Sequence, residues 1–550
     1  MKLYRYIAIF AAALTVSVSC SKILNEVKPE SGGLLAEQNQ ETNAAVPTRA
    51  GASFNGLFNA LGLPYYCGYN KPDDWGVLMM LFCNDLESAD AFIPDSGYNW
   101  FSVCGEYSSR SSNYRNPTIR YKVPYNLIAD CNDFLAGFGD DVTNAESLYM
   151  IAQAKALRAY AYMLLAPAFQ FNYVNHKDDP CVPICTMDME LVPDPANNPR
   201  ATVAEIYELI MNDLNDAVAG LAGYKRPTKM YIDQQVAYGL RARAYLDMGM
   251  YSEAAADAAE AMKGYTPASP SEVSRPSFMD INEHNWIWGF DMDAAKASNG
   301  IYATSSSWLR SFSGYAYAAA CQCYTCINSM LYNKIPDTDV RKGWWLNEDK
   351  YSPLLDGLVW NAGDAGTAVG QEIVDFEFDD KLAFLPYTNV KFGCNPIGTT
   401  ENAEDSPLMR VEEMILIRAE AIAKAGNEAE GKKILEDFVK TYRDPSYSAS
   451  AGGRSFADEV WFQRRVELWG EGFGIYDTKR LNKPMVRFHD NAESTNQPDA
   501  FRFNMAADDG WLLMKFADGE LNTNFKIVDN TDGALPKMDQ NPGLRDGVTD

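Results

Sequence analysis

Three cysteines in one short stretch, Cys321, Cys323 and Cys326, are the residues whose types and spacing first suggest chemistry. A C-x-C-x-x-C sequence can bring three thiolates onto one metal ion. No fourth ligand is close in the sequence, because the three histidines of the chain all lie elsewhere. We therefore expect structural thiols or disulfides here, and the sequence predicts neither a metal site nor a cofactor.

The motifs of common enzyme families are missing. The chain has no G-x-S-x-G, no H-E-x-x-H and no P-loop sequence, and the G-x-G-x-G run from Gly470 lacks the Rossmann spacing. Acidic pairs such as Asp178-Asp179 resemble the paired carboxylates of glycoside hydrolases, which lie about 5 to 9.5 Å apart. Among 74 acidic residues such pairs arise by chance, so no catalytic site is predicted.

A second charged group consists of Arg465, Glu467, Asp477 and Arg480, in the C-terminal part of the chain. Taken alone, these side chains resemble catalytic acids and bases. Their helical setting instead favours a buried ion network.

The composition excludes several functions. The 550 residues include 48 Lys and Arg against 74 Asp and Glu, which gives a net charge of -26. A surface this negative repels phosphate backbones and anionic lipids, so we expect no nucleic-acid partner. With 47% hydrophobic and 12% aromatic residues the chain is globular rather than disordered.

The N-terminus has the pattern of an export signal. Lys2 and Arg5 precede an apolar run over residues 6–18, and small residues lead to Cys20. We interpret residues 1–19 as a signal peptide, Cys20 as a lipidation site and residues 20–50 as a lipidated N-terminus and tether. The alternative is ordinary cleavage that leaves Cys20 unlipidated.

Helical periodicity dominates residues 51–265 and 405–480. Apolar residues recur every three or four positions in 145–166 and 201–221, and Thr202 with Glu205 has the spacing of a capping box. The pattern [LI]-R-A-x-A starts at positions 157, 240 and 417, and a glycine follows the last two copies at the same offset. Such Ala-rich repeats are typical of tetratricopeptide-like helix pairs.

Two other regions, 266–404 and 481–550, are rich in Pro, Gly, Ser and aromatic residues and show little helical period. Loops of this length in a helical protein are usually functional or disordered, and the aromatic content favours function. We expect residues 51–550 to form a single, mainly α domain, with a tetratricopeptide-like helical scaffold and a large irregular, loop-rich face.

Several further motifs occur in a fixed order. Cys20 begins C-S-K-I-L-N-E-V-K-P, residues 410–421 read RVEEMILIRAEA, residues 463–468 read QRRVEL, residues 471–480 read EGFGIYDTKR, and QNPG stands at 540–543. This series resembles the SusD/RagB-like outer-membrane lipoproteins of Bacteroidota. The chain departs from the family at Gly474, where many members carry arginine.

The resemblance implies a role. Family members lie on the cell-surface side of the outer membrane, where a lipid anchors them. They cap a SusC-like TonB-dependent transporter and capture oligosaccharides for import, and they are not enzymes. Some members bind peptides instead, which is the main alternative; a secreted glycoside hydrolase is a more distant one.

Two aromatic segments then become candidate carbohydrate sites, because sugars stack on flat aromatic faces while polar side chains bind their hydroxyl groups. The first contains Tyr98, Asn99 and Trp100, in a loop that resembles the family's ligand-contacting loop. The second contains Trp308, Arg310 and Tyr315, in a Ser/Gly-rich run where we expect no buried core. For each aromatic the alternative is core packing, which we expect for the following tryptophans of scaffold-like segments: Trp286, Trp288, Trp461 and Trp469.

Overall fold

The structure is a computed structural model that describes residues 40, 42–43, 49–94, 99–139, 142–186, 195–292, 297, 305–312, 317–360, 371–372, 384–399, 401–530 and 535–550. The predicted lipidation site, Cys20, lies outside these residues. Helices dominate the described part, which confirms the mainly α fold class. None of the described helices is both long and apolar enough to cross a membrane.

The longer helices fall into an N-terminal and a C-terminal group, and shorter ones lie in the loop-rich regions. In chain order they are α1 (Ala50–Asn59), α2 (Gly76–Glu87), α3 (Ser102–Glu106), α4 (Arg115–Ala136), α5 (Ala145–Phe169), α6 (Tyr173–His176), α7 (Val203–Gly220), α8 (Gln234–Asp247), α9 (Tyr251–Ala261), α10 (Pro270–Val273), α11 (Ser305–Leu309), α12 (Tyr317–Ala320), α13 (Ser329–Tyr332), α14 (Val411–Lys424), α15 (Glu428–Tyr442), α16 (Phe456–Glu467), α17 (Gly474–Arg480) and α18 (Asp518–Thr523).

The strands are short and pair two by two, always antiparallel. They are β1 (Ala91–Phe92) with β3 (Cys326–Ile327), β2 (Trp286–Phe290) with β6 (Ser406–Arg410), and β4 (Val359–Trp360) with β5 (Gln371–Glu372).

Local signals set the helix ends as the sequence predicts. Thr202 accepts a hydrogen bond from the backbone N–H of Glu205, whose carboxylate accepts one in return, so the capping box before α7 is confirmed. Gly249 and Gly426 follow the ends of α8 and α14 with φ of +74° and +103°, a left-handed backbone that favours glycine. The repeated glycine of the sequence pattern therefore marks a repeated helix end.

The helices α4, α5, α7, α8, α9, α14 and α15 pack successively, each against the next. Small side chains permit this close packing, since the alanines of the repeats are buried where the helices meet: Ala242, Ala244, Ala254, Ala258, Ala419 and Ala421. The row passes directly from α9 to α14, although about 150 residues separate them in the sequence. The tetratricopeptide-like scaffold is therefore continuous in space.

The pairing of β2 with β6 shows how the long insertion, which we define as residues 262–410 between α9 and α14, returns to the scaffold. Trp286 lies opposite Arg410, the last residue before α14, and Trp288 lies opposite Met409. Both tryptophans are buried, in agreement with their predicted core role. The insertion thus begins and ends at neighbouring points, which lets the helix row continue past it.

A buried carboxylate, Glu467 at the end of α16, holds the scaffold and the insertion together. It forms ion pairs with Arg443 at 2.8 Å and with Arg341 and Arg410 at 3.2 Å, and none of the four side chains is exposed. Burial alone would raise the pKa of Glu467, but the three guanidinium groups outweigh it and hold the pKa well below its usual range.

Further pairs extend this cluster. Glu471 binds Arg410 at 2.7 Å and Lys391 at 2.8 Å, and Glu412 binds Arg410 at 3.0 Å. The arginine–carboxylate network comprises Asp339, Arg341, Lys391, Arg410, Glu412, Arg443, Glu467 and Glu471.

The other predicted charges are buried and paired as well. Arg465 lies 2.6 Å from Asp90 and from Asp546, and Asp477 lies 3.0 Å from Arg480. The expectation of a buried ion network for the C-terminal charges is therefore confirmed.

We expect Glu467→Gln to lower the free energy of unfolding at pH 7 by about 3 to 5 kcal/mol, because it leaves buried guanidinium groups uncompensated. A depressed pKa stabilises the folded state above the ordinary glutamate pKa of about 4.3, and this stabilisation is lost as the pH falls. The difference between variant and wild type should therefore stay nearly constant from pH 7 to about pH 5 and shrink below about pH 4 in denaturant unfolding.

Glu428→Gln is the matched control. Glu428 pairs with Lys432 on the surface of α15, with the side chains 61% and 37% exposed. Its loss should cost less than about 0.5 kcal/mol. Equal losses in the two variants would contradict the special role of Glu467.

Candidate functional site

The first predicted segment follows β1 and leads into α3. Asn99 donates a hydrogen bond to the carbonyl of Ile93 at 3.1 Å, and its Oδ1 accepts one from the backbone N–H of Phe101 at 2.9 Å. Asn99 therefore fixes the conformation of the loop that carries Trp100. Both residues are half-buried, so part of the Trp100 side chain reaches solvent.

Two cations lie close to the Trp100 ring. Lys71 Nζ is 4.8 Å from the ring centroid and Arg115 Cζ is 5.7 Å from it. The Nε of Arg115 donates to both oxygens of Asp73, at 2.8 and 3.0 Å, while its terminal nitrogens make no hydrogen bond within the described part of the chain. Trp100, Lys71 and Arg115 form what we call the Trp100 cluster.

The loop that carries Lys71 is also fixed by hydrogen bonds. The carboxylate of Asp74 accepts from the backbone N–H groups of Cys67, at 2.8 Å, and Tyr69, at 2.7 Å. Two carboxylates, Asp73 and Asp74, thus lie in the same loop as Lys71 and balance the two cations of the cluster. The arrangement combines an indole ring with hydrogen-bond donors and has no large local charge, which suits the recognition of a neutral polyhydroxylated ligand.

The second predicted segment also lies next to the loop that carries Trp100, but its role there is structural. The Trp308 side chain is fully buried and packs edge-on against Phe101, with ring centroids 4.7 Å apart. The two segments therefore meet, with Trp308 supporting the loop that carries Trp100. The expectation that Trp308 lies outside a core is wrong. The helix α11, which contains Trp308, packs against α2, and this contact buries the ring.

Arg310 is buried too, with 0% of the residue exposed. Its Nη2 donates to the carbonyls of Phe278 and Asp405, and its guanidinium lies 5.7 Å from the centre of the Phe392 ring. Arg310 therefore joins segments of the insertion and does not face solvent as a ligand-binding group would. The expectation of a sugar contact at Arg310 is not met in this structure.

The remaining predicted residues, Tyr98 and Tyr315, lie outside the described residues. Lys71 and Arg115 were not predicted as site residues. The sequence signal for Lys71 is the run from Pro64 to Trp75, which combines three tyrosines with turn-forming Pro, Gly, Asn and Asp residues, whereas Arg115 has no comparable signal.

A cavity of about 110 Å³ between α5, α8 and α17 is a second candidate. Burial raises the pKa of Asp247 to about 6 and lowers that of Lys479 to about 7, values that acid–base catalysis requires. However, Asp247 accepts a hydrogen bond from Tyr207, and Lys479 donates to the carbonyls of Pro167 and Leu512. We therefore assign these groups to helix packing.

The departure from the family pattern at Gly474 has a steric basis. The backbone N–H of Gly474 donates to Asp85 at 3.0 Å, and an added Cβ would lie only 2.6 Å from the Cβ of Ser88. A side chain here would force the end of α2 away from α17. Glycine at this position therefore permits the close contact of the two helices.

Comparisons with known proteins agree with this architecture. A family model described as "Starch-binding associating with outer membrane" matches residues 77–246, and the model of the SusD family matches residues 387–543. Together the two matches cover more than half of the chain. No curated protein matches the sequence.

Solved structures share the fold over almost their whole length. A SusD-like carbohydrate-binding protein from Bacteroides vulgatus is 23% identical with a TM-score of 0.69, covering 88% of this chain and 97% of that chain. A SusD superfamily protein from Bacteroides thetaiotaomicron is 20% identical with a TM-score of 0.67, covering 88% and 99%. A laminarin-binding SusD-like protein is 16% identical with a TM-score of 0.61, covering 88% and 98%. From the two family matches we conclude that the chain belongs to the SusD/RagB-like family.

Proposed function

We propose that this protein captures neutral oligosaccharides at the cell surface and delivers them to a SusC-like TonB-dependent transporter in the outer membrane. The observation that carries the proposal is the Trp100 cluster, in which a half-buried indole lies on a loop fixed by Asn99. The family match described as starch-binding and the relative named as laminarin-binding support a glycan ligand.

Electrostatics favour a neutral ligand. The whole chain has a net charge of -26, which opposes the approach of polyanions, and the two cations at Trp100 stand beside two carboxylates of the same loop region. Binding should therefore depend on stacking and on hydrogen bonds to hydroxyl groups. With stacking worth about 0.5 to 1.5 kcal/mol beyond area burial and each hydrogen bond about 1 kcal/mol, we expect dissociation constants in the micromolar to millimolar range.

The proposed place of action depends on the N-terminus. A lipid on Cys20 would anchor the protein, and the residues after it would act as a tether. The predicted end of this tether at residue 50 is wrong, because Gln40 and Asn43 already donate hydrogen bonds to the carbonyls of Ala136 and Gly137 and Ala50 is buried in α1. The family description, which names the outer membrane, supports this location.

Trp100→Ala should weaken glycan binding about tenfold or more, since it removes the stacking surface. It should lower stability less than Trp308→Ala does, because Trp100 is only half-buried against the core. The best ligand of a glycan array on the soluble fragment that starts after Cys20 serves as the calorimetric probe. Affinity should change little between low and physiological salt.

Trp308→Ala is the informative contrast. It should lower stability by about 3 to 5 kcal/mol, because it creates a cavity beneath Phe101. Strong salt dependence of binding, together with full affinity in Trp100→Ala, would favour a peptide or a charged glycan instead. Release of reducing ends from a polysaccharide by the pure protein would favour a hydrolase.

Cys20→Ala should release the protein from the membrane fraction. Each buried CH₂ of an acyl chain contributes about 0.8 kcal/mol, and more than one chain makes attachment stable. Fractionation of cells that lack the transporter provides the measurement. Membrane retention of the variant in those cells would contradict the lipid anchor.

A further inference from the structure

Tyr351 is an exposed aromatic residue that hydrogen bonds of its own loop hold in place. The residue is 45% exposed. Its hydroxyl group donates to Asp356 at 3.0 Å, and its backbone N–H donates to Oδ1 of Asn347 at 2.9 Å. A ring fixed at both ends loses little conformational entropy when a ligand covers it, which favours binding.

The ring stands at a cleft of about 340 Å³, within the size range of small-molecule sites. Two more aromatic residues, Tyr332 and Trp345, border the cleft but are only 8% and 0% exposed, so Tyr351 provides the accessible aromatic surface. Lys342 Nζ lies 5.3 Å from the centre of the Tyr332 ring. An exposed tyrosine ring beside polar side chains matches the chemistry of a sugar.

The polar groups of the cleft suit a neutral ligand. Lys342 and Asp337 form an ion pair at 2.5 Å, so their charges compensate one another. The side-chain amide N–H₂ of Asn347 makes no hydrogen bond within the described part of the chain and is available as a donor to hydroxyl groups.

The cleft is separate from the Trp100 cluster. Four short segments pair side by side, in the order β1, β3, the Thr388 segment and the Trp345 segment, and each neighbouring pair is antiparallel. The first and the last segment therefore run in opposite directions. Because the Trp100 loop follows β1 and the Tyr351 loop follows Trp345, the two loops leave this ladder at opposite ends.

We propose that the Tyr351 cleft is a second binding site for neutral glycans, in which a sugar ring stacks on Tyr351 and Asn347 binds its hydroxyl groups. The inference rests on the proposed function and adds a second contact to it. A polysaccharide long enough to reach both sites would bind more tightly than a short oligosaccharide, because its second contact is intramolecular.

The test uses the soluble protein with laminarin, pullulan, xylan and mannan in affinity gels, and with the matching hexasaccharides in calorimetry. Wild type should bind two hexasaccharides, and Tyr351→Ala and Trp100→Ala should each bind one. The double variant should bind none. Tyr351→Ala should also weaken retention by the polysaccharide at least fivefold at an unchanged melting temperature.

Two controls separate stacking from other effects. Tyr351→Phe keeps the ring but removes its hydrogen bond to Asp356, so it should bind more weakly than wild type and more tightly than Tyr351→Ala. Phe525→Ala removes an aromatic residue that is 75% exposed and lies elsewhere on the surface. The Phe525→Ala variant should bind the glycans with the affinity of wild type.

The outcomes distinguish this inference from the proposed function. If wild type binds one hexasaccharide, Trp100→Ala abolishes that binding and Tyr351→Ala has no effect, the second site is overturned while the proposed function stands. If wild type binds none of the eight probes and no neutral glycan of the array, the proposed function fails and the inference fails with it.

Discussion

The structure depends on one buried carboxylate, Glu467, which meets three guanidinium groups from three parts of the chain. Arg341 belongs to the insertion, Arg410 to β6 and Arg443 follows α15. A buried charge without its partner is costly, so the three segments must keep their relative positions for the protein to remain folded. Through this network the row of helices stabilises the irregular, loop-rich region, which has few strands of its own.

Local features of the fold could be predicted because their signals are local. The capping box at Thr202 and the left-handed glycine at Gly249 depend on residues only a few positions away. The contact between α9 and α14 could not be predicted in the same way. The repeat pattern shows that the helices are alike but not which of them are neighbours. The pairing of β2 with β6 beside this contact joins two short strands more than 100 residues apart, and such strands carry no sequence signal of their pairing.

In the candidate site, too, contacts between distant segments could not be predicted from the sequence. The segment around Trp308 is rich in Ser and Gly and predicts a surface loop, but Phe101 and α2, which are distant in sequence, cover it. Arg310 is buried because backbone carbonyls of other segments accept its hydrogen bonds. Composition describes a segment and not the neighbours that fold onto it. The loop around Trp100 could be identified from its residues, whereas the cations beside it come from two other segments of the chain.

A protein that captures a ligand and then releases it to a partner needs contacts that are each weak on their own. A fixed aromatic ring provides such a contact, since stacking contributes little energy but requires no ordering of the protein. Trp100 and Tyr351 are both held by hydrogen bonds of their own loops, at opposite ends of one small ladder. If both rings bind sugars as proposed, long chains would gain from both at once, while each ring alone would let a sugar leave quickly. In such an arrangement the length of the glycan, more than the affinity for any single sugar, decides how long it stays bound.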